Sequence, residues 1–137
     1  MVKRCHYALR VCFIDDDAEA RRQWLELARI EAWKVSAVES VFEANSIAAD
    51  CYVFDISAVS PNLDVQYTYS SIARLMEDHP GAAVILLSAM SRRMVEQVID
   101  DVAQHTGRRP TYGGHGLWTE LREPVNQACG LGECDAG

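Results

Sequence analysis

A chain of 137 residues, 49% hydrophobic and 24% charged, has the make-up of one globular domain with a single core. A formal net charge of −7 argues against a general nucleic-acid or anionic-membrane surface, and no apolar stretch approaches the length of a membrane span. Met1-Val2-Lys3-Arg4 is not followed by the apolar segment of a signal peptide. The odd count of five cysteines, with Cys12 and Cys51 inside apolar runs and Cys129 and Cys134 in a Gly-rich tail, does not suggest a disulfide framework, so a reduced cytoplasm is expected. The domain is expected over residues 1–128, with 129–137 a flexible tail.

The predicted elements alternate between strand and helix. A first strand spans 10–14, ending in Val11-Cys12-Phe13-Ile14. A helix over 18–30 follows, with Asp16 or Asp17 as N-cap, Glu19 available for a capping box, and Trp24, Leu25, Leu27 and Ala28 as its apolar stripe. A short strand covers 34–38, and a helix over 39–49 carries Val41, Phe42 and Ile47. Cys51-Tyr52-Val53-Phe54 forms a third strand that ends at Asp55. After a loop through Ser60-Pro61-Asn62 comes a helix over 65–76, with Tyr69, Ile72, Leu75 and Met76 on one side. Pro80-Gly81 breaks the chain before the clearest strand, 83–88, which is apolar until Ser88. A helix over 92–104 places Met94, Val95, Val98, Ile99 and Val102 at helical spacing. A weaker fifth strand is expected over 108–112 and a last helix over 117–129, interrupted by Pro124.

Such alternation predicts an α/β fold, an open parallel sheet with helices on both faces, whose ligands bind beyond the carboxyl ends of the strands. Asp15, Asp16, Asp55 and Ser88 all stand at or just past those ends. Two carboxylates held about 4 Å apart repel by roughly 4 kcal/mol at an effective dielectric near 20. A hard divalent cation such as Mg2+ is the usual reason to keep them together. A lone strand-end aspartate is more often a helix cap, and Asp17 is read that way.

Three segments together resemble the receiver domain of two-component response regulators: Phe13-Ile14-Asp15-Asp16-Asp17-Ala18-Glu19-Ala20-Arg21, Val53-Phe54-Asp55-Ile56, and Val84-Ile85-Leu86-Leu87-Ser88-Ala89. The resemblance covers roughly residues 8–105. It implies a flavodoxin-like, doubly wound five-stranded sheet of order 2-1-3-4-5, and a stand-alone, chemotaxis-regulator-like receiver in the cytoplasm. Asp55 is then the acceptor of a phosphoryl group from a sensor histidine kinase or phosphotransfer protein. Mg2+ is held by Asp16, Asp55 and the Ser57 carbonyl, with Asp15 acting through bound water. The Ser88 hydroxyl donates to the phosphoryl group, and a downstream protein partner reads the fourth helix and the segment after it. Neither nucleic acid nor membrane is an expected partner, and a homodimer is left open.

Two features depart from that pattern. Receivers carry a lysine after the fifth strand, but the only lysines here are Lys3 and Lys34. Arg109, ahead of Pro110, is the expected substitute, with Arg108 second; Glu123-Pro124 offers an acid where a cation is needed. Pro61 lies further past Asp55 than the family's usual proline, which suggests a small insertion. The alternative function is a receiver-like interaction or adaptor module no longer switched by phosphorylation. A haloacid-dehalogenase-like hydrolase would need an acid two residues after Asp55, where this chain has Ser57.

Overall fold

Val11 to Ile14 and Cys51 to Phe54 are all buried, so two adjacent strands shielded on both faces form the centre of the molecule. The structure, a computed structural model, describes residues 9–15, 17–31, 33–55, 65–87 and 92–113, and Val125. In chain order the elements are β1 (Arg10–Ile14), α1 (Ala18–Glu31), β2 (Lys34–Val38), α2 (Val41–Ala44), β3 (Cys51–Asp55), α3 (Val65–Asp78), β4 (Ala83–Leu87), α4 (Arg92–Thr106) and β5 (Thr111–Tyr112). The five strands form one parallel sheet of order β2-β1-β3-β4-β5. This is the expected doubly wound α/β architecture.

Period-two alternation divides the core between the faces. Cys12, Ile14, Tyr52, Phe54, Val84 and Leu86 pack with Ala44 of α2, Ile72, Leu75 and Met76 of α3, and Val95, Val98, Ile99 and Val102 of α4. Val11, Phe13, Cys51, Val53, Ile85 and Leu87 pack with Trp24 and Leu27 of α1 and with Val125. The Phe13 and Trp24 rings stack with centroids 5.2 Å apart. Each fully buried side chain of this size contributes roughly 1.5–3 kcal/mol. Leu25, expected on the apolar stripe of α1, is 45% exposed instead.

Helix α2 is one turn, against the expected span of 39–49. Ser40 caps it, its Oγ accepting from the Glu43 amide. Val41 and Ile47 both reach the core, but Ile47 does so from the turn after the helix. Phe42 points outward and is 90% exposed, so the three apolar residues never form a helical stripe.

Strand β5 is also shorter than expected. Helix α4 ends at Gly107, whose φ of 76° is left-handed and whose amide donates to the Ala103 carbonyl, a glycine C-cap. The Thr106 hydroxyl accepts from the Arg108 amide and donates to the Val102 carbonyl, which tightens the turn. The Arg108 guanidinium then donates to the carbonyls of Met76 and Ala82 at either end of the α3–β4 turn. Pro110 has no N–H to give a ladder, and pairing begins only at Thr111, opposite Ile85.

Candidate acidic site at the carboxyl end of the sheet

Asp15 directly follows β1, and its amide continues the sheet by donating to the Val38 carbonyl of β2, 3.0 Å away. The residue is only 4% exposed, and it is the one charged residue among the buried set of the described chain. Its Oδ1 accepts from the Asp17 amide at 3.0 Å. Asp17 in turn caps α1, its Oδ1 accepting from the Glu19 amide at 3.0 Å. The capping-box expectation fails: Glu19 is the second residue of the helix, and its carboxylate pairs with Arg22.

Asp55 closes β3 and is partly buried, opposite Leu87 of β4. Ile14 is opposite Phe54, so the next residues, Asp15 and Asp55, fall level at the ends of adjacent strands, whose usual spacing is about 4.8 Å. The alternation that sends Val11, Phe13, Cys51 and Val53 to the α1 face extends to both acids. The expected convergence of the two strand ends is therefore present for Asp15 and Asp55. Asp16, Ser57 and Ser88, and Pro61 with its suggested insertion, lie outside the described residues. Among the described residues alone, no group of three or more His, Cys, Asp or Glu is arranged to hold a metal. The carboxylate oxygens of Asp15 and Asp55 are nevertheless the hard donors that Mg2+ prefers, on two neighbouring strand ends.

The cationic half of the pocket requires a correction. Arg109 precedes β5 rather than following it, and so lies at the amino edge of the sheet. Thr111 is level with Ile85, and Leu87 with Asp55. Arg109 is thus four residues, roughly 13 Å, below the level of Asp55, and two strands away. Its guanidinium instead pairs with Asp100 of α4 at 2.8 Å. Arg108 is turned to the same edge by its two carbonyl partners. The residue that does follow β5 is Gly113, whose amide donates to the Leu86 carbonyl.

A cation that the sequence reading passed over stands close to the acids. Arg21, one turn into α1, donates through Nη1 to the Asp15 carbonyl at 2.8 Å and pairs with Glu39 at 3.7 Å. The signal was available, because a side chain at the fourth helical position leans back over the helix N-terminus.

No protein-family model matches the chain, and no curated protein matches it in sequence. Solved structures do match. A CheY-like response regulator receiver domain protein from Methanospirillum hungatei is 15% identical, with a TM-score of 0.69 over 90% of this chain and 94% of that one. The receiver domain of a Francisella response regulator is 20% identical, with a TM-score of 0.67 over 88% and 96% of the two chains. A response regulator from Burkholderia pseudomallei, whose structure holds a phosphorylated aspartic acid and a calcium ion, is 14% identical, with a TM-score of 0.64 over 88% and 66%. At these identities the likeness concerns the fold, over 88–90% of the chain. The chain has the receiver-domain fold of two-component response regulators.

Proposed function

We propose that this protein is a phosphoryl-accepting receiver, with Asp55 as the acceptor. The observation that carries the reading is the level placement of Asp55 beside the buried Asp15, at the carboxyl end of a sheet of order β2-β1-β3-β4-β5. The phosphorylated aspartic acid in the Burkholderia structure, which also holds a calcium ion, supports the same chemistry. A carboxylate oxygen of Asp55 attacks the phosphorus of a phosphohistidine on a kinase or phosphotransfer protein. The O–P bond forms as the N–P bond breaks, and the imidazole leaves. A carboxylate is a weak nucleophile, so positioning and charge neutralisation supply most of the acceleration.

Mg2+ bound there would offset the charge of the acids and of the transferring phosphoryl oxygens. Asp16, Asp55 and the Ser57 carbonyl would hold it, with Asp15 bonding to its water shell. Ser88, the residue after Leu87, would donate to a phosphoryl oxygen. Phosphorylation would shift the balance between two arrangements of the α4 face, which a downstream protein reads. The buried thiols of Cys12 and Cys51 suit a reducing, cytoplasmic setting. No described helix is long and apolar enough to cross a membrane.

One observation favours a second reading, an interaction module that phosphorylation no longer switches. Both candidate arginines stand at the amino edge, and glycine follows β5. Titration with beryllofluoride and Mg2+ separates the two readings. A phosphoryl acceptor binds beryllofluoride only with Mg2+ present and loses it in Asp55→Asn. A wild-type protein that binds Mg2+ but never beryllofluoride is the module.

A further inference from the structure

We infer that Arg21 is the positioning residue of the acidic site, a role that deepens the phosphoryl-acceptor reading and rests on it. Asp15 is anchored through every backbone polar group and through its side chain. Its amide goes to Val38 of β2, its Oδ1 to the Asp17 amide that starts α1, and its carbonyl to the Arg21 guanidinium. The first anchor joins two neutral groups. The second accepts on the Asp15 carboxylate and the third is donated by a guanidinium, so both are charge-assisted, and charge-assisted bonds are about twice as strong.

Peptide planarity makes that third anchor consequential. Holding the Asp15 carbonyl fixes the plane in which the chain leaves Asp15, and hence how the acidic loop enters the helix. The Arg21 side chain is only 19% exposed, so its bond to the carbonyl is partly shielded from water. Its pairing with Glu39, at 3.7 Å with Glu39 69% exposed, is a looser contact that contributes little by itself. Glu39 does tie the arginine to the α2 side, because the Glu39 amide donates to the Glu43 carboxylate at 3.2 Å. Arg21 also places a standing positive charge beside a loop with three consecutive aspartates. That charge lowers the repulsion the loop must overcome when no metal is bound.

The two effects predict opposite outcomes for metal binding, and the structure favours positioning. A guanidinium that merely repelled Mg2+ would, once removed, leave a tighter site. A guanidinium that holds the carbonyl in place leaves a looser loop and a weaker site. The test compares wild type, Arg21→Met and Arg21→Lys by amide hydrogen exchange without metal, and by Mg2+ titration. Arg21→Met is expected to speed exchange of the Asp17 amide about tenfold. The Lys34 amide, bonded to the Leu9 carbonyl at the far end of β1, keeps its rate. Mg2+ affinity falls about fivefold in the Met variant and recovers in part in Arg21→Lys. Unchanged Asp17 exchange, or tighter Mg2+ binding in Arg21→Met, overturns the inference. If wild type binds no Mg2+ at all, the metal-dependent acceptor reading fails, and the exchange rates alone decide the role of Arg21.

Discussion

The two ends of the sheet have sorted their charges in opposite ways. Asp15 and Asp55 meet at the carboxyl edge, while Arg10, Arg108 and Arg109 gather at the amino edge. At the amino edge the charges are paired and serve the fold. Arg10 holds Asp50 through its amide and its guanidinium, and Arg108 closes the α3–β4 turn on two carbonyls. The carboxyl edge keeps like charges side by side, which a fold optimised only for stability would avoid. Charge that stabilises sits at one end, and charge that stability alone does not explain sits at the other.

Substitutions at the two edges should separate accordingly. Arg108→Met leaves the Met76 and Ala82 carbonyls without their cationic donor, and should lower unfolding free energy in urea by about 3 kcal/mol. Mg2+ affinity at the far edge should not follow it. Asp15→Asn keeps an oxygen for the Asp17 amide and removes a charge, so stability should move by less than about 1 kcal/mol. Its Mg2+ affinity should nevertheless fall about tenfold, equivalent to roughly 1.4 kcal/mol. Asp50→Asn weakens the pair with Arg10, whose side chain is about half exposed, and should cost about 1 kcal/mol in the same urea series. An amino-edge variant that lost metal binding without unfolding would break the division.

Near neutral pH the smallest expected effect belongs to the core between the edges, where it emerges only as pH rises. Burial alone pushes the Cys12 thiol up to about 12 from 9.0. The unfolded chain therefore releases this proton near pH 9, while the folded chain keeps it until about pH 12. The Cys12 contribution to stability is complete below pH 9 and falls as pH rises towards 12, by at most about 1.4 kcal/mol per pH unit. Urea midpoints measured above pH 9 for wild type and Cys12→Ala should converge as pH rises. At pH 8, a thiol reagent should modify Cys12 only after denaturant is added.

The central strands were legible because burial on both faces writes itself as an unbroken apolar run. β2 and β3 end where the residues predicted, and β4 follows its expected span through Leu87, the last described residue there. The edges were less legible. Nothing in Val41, Phe42 and Ile47 says that a turn, rather than a second helical turn, brings Ile47 to the core. Nor does the distance in sequence between Ser88 and Arg109 say on which side of the fifth strand the arginine falls. Strand β5 has only two residues and starts after Pro110, so Arg109 came to the wrong edge. The acids could be located because each ends an apolar run. Arg21 ends no apolar run; its helical position could have flagged it, but its contact is with a backbone carbonyl, which side-chain chemistry in a sequence does not reveal.

The most direct test of the account is where the phosphoryl group goes. The protein is incubated with Mg2+ and a small acyl-phosphate donor, then digested and mapped by mass spectrometry. The account predicts one hydroxylamine-labile phosphoryl group, on Asp55, absent without Mg2+ and absent in Asp55→Asn. A phosphoryl group that appears equally in Asp55→Asn, or none at all on a protein that binds Mg2+, would contradict it.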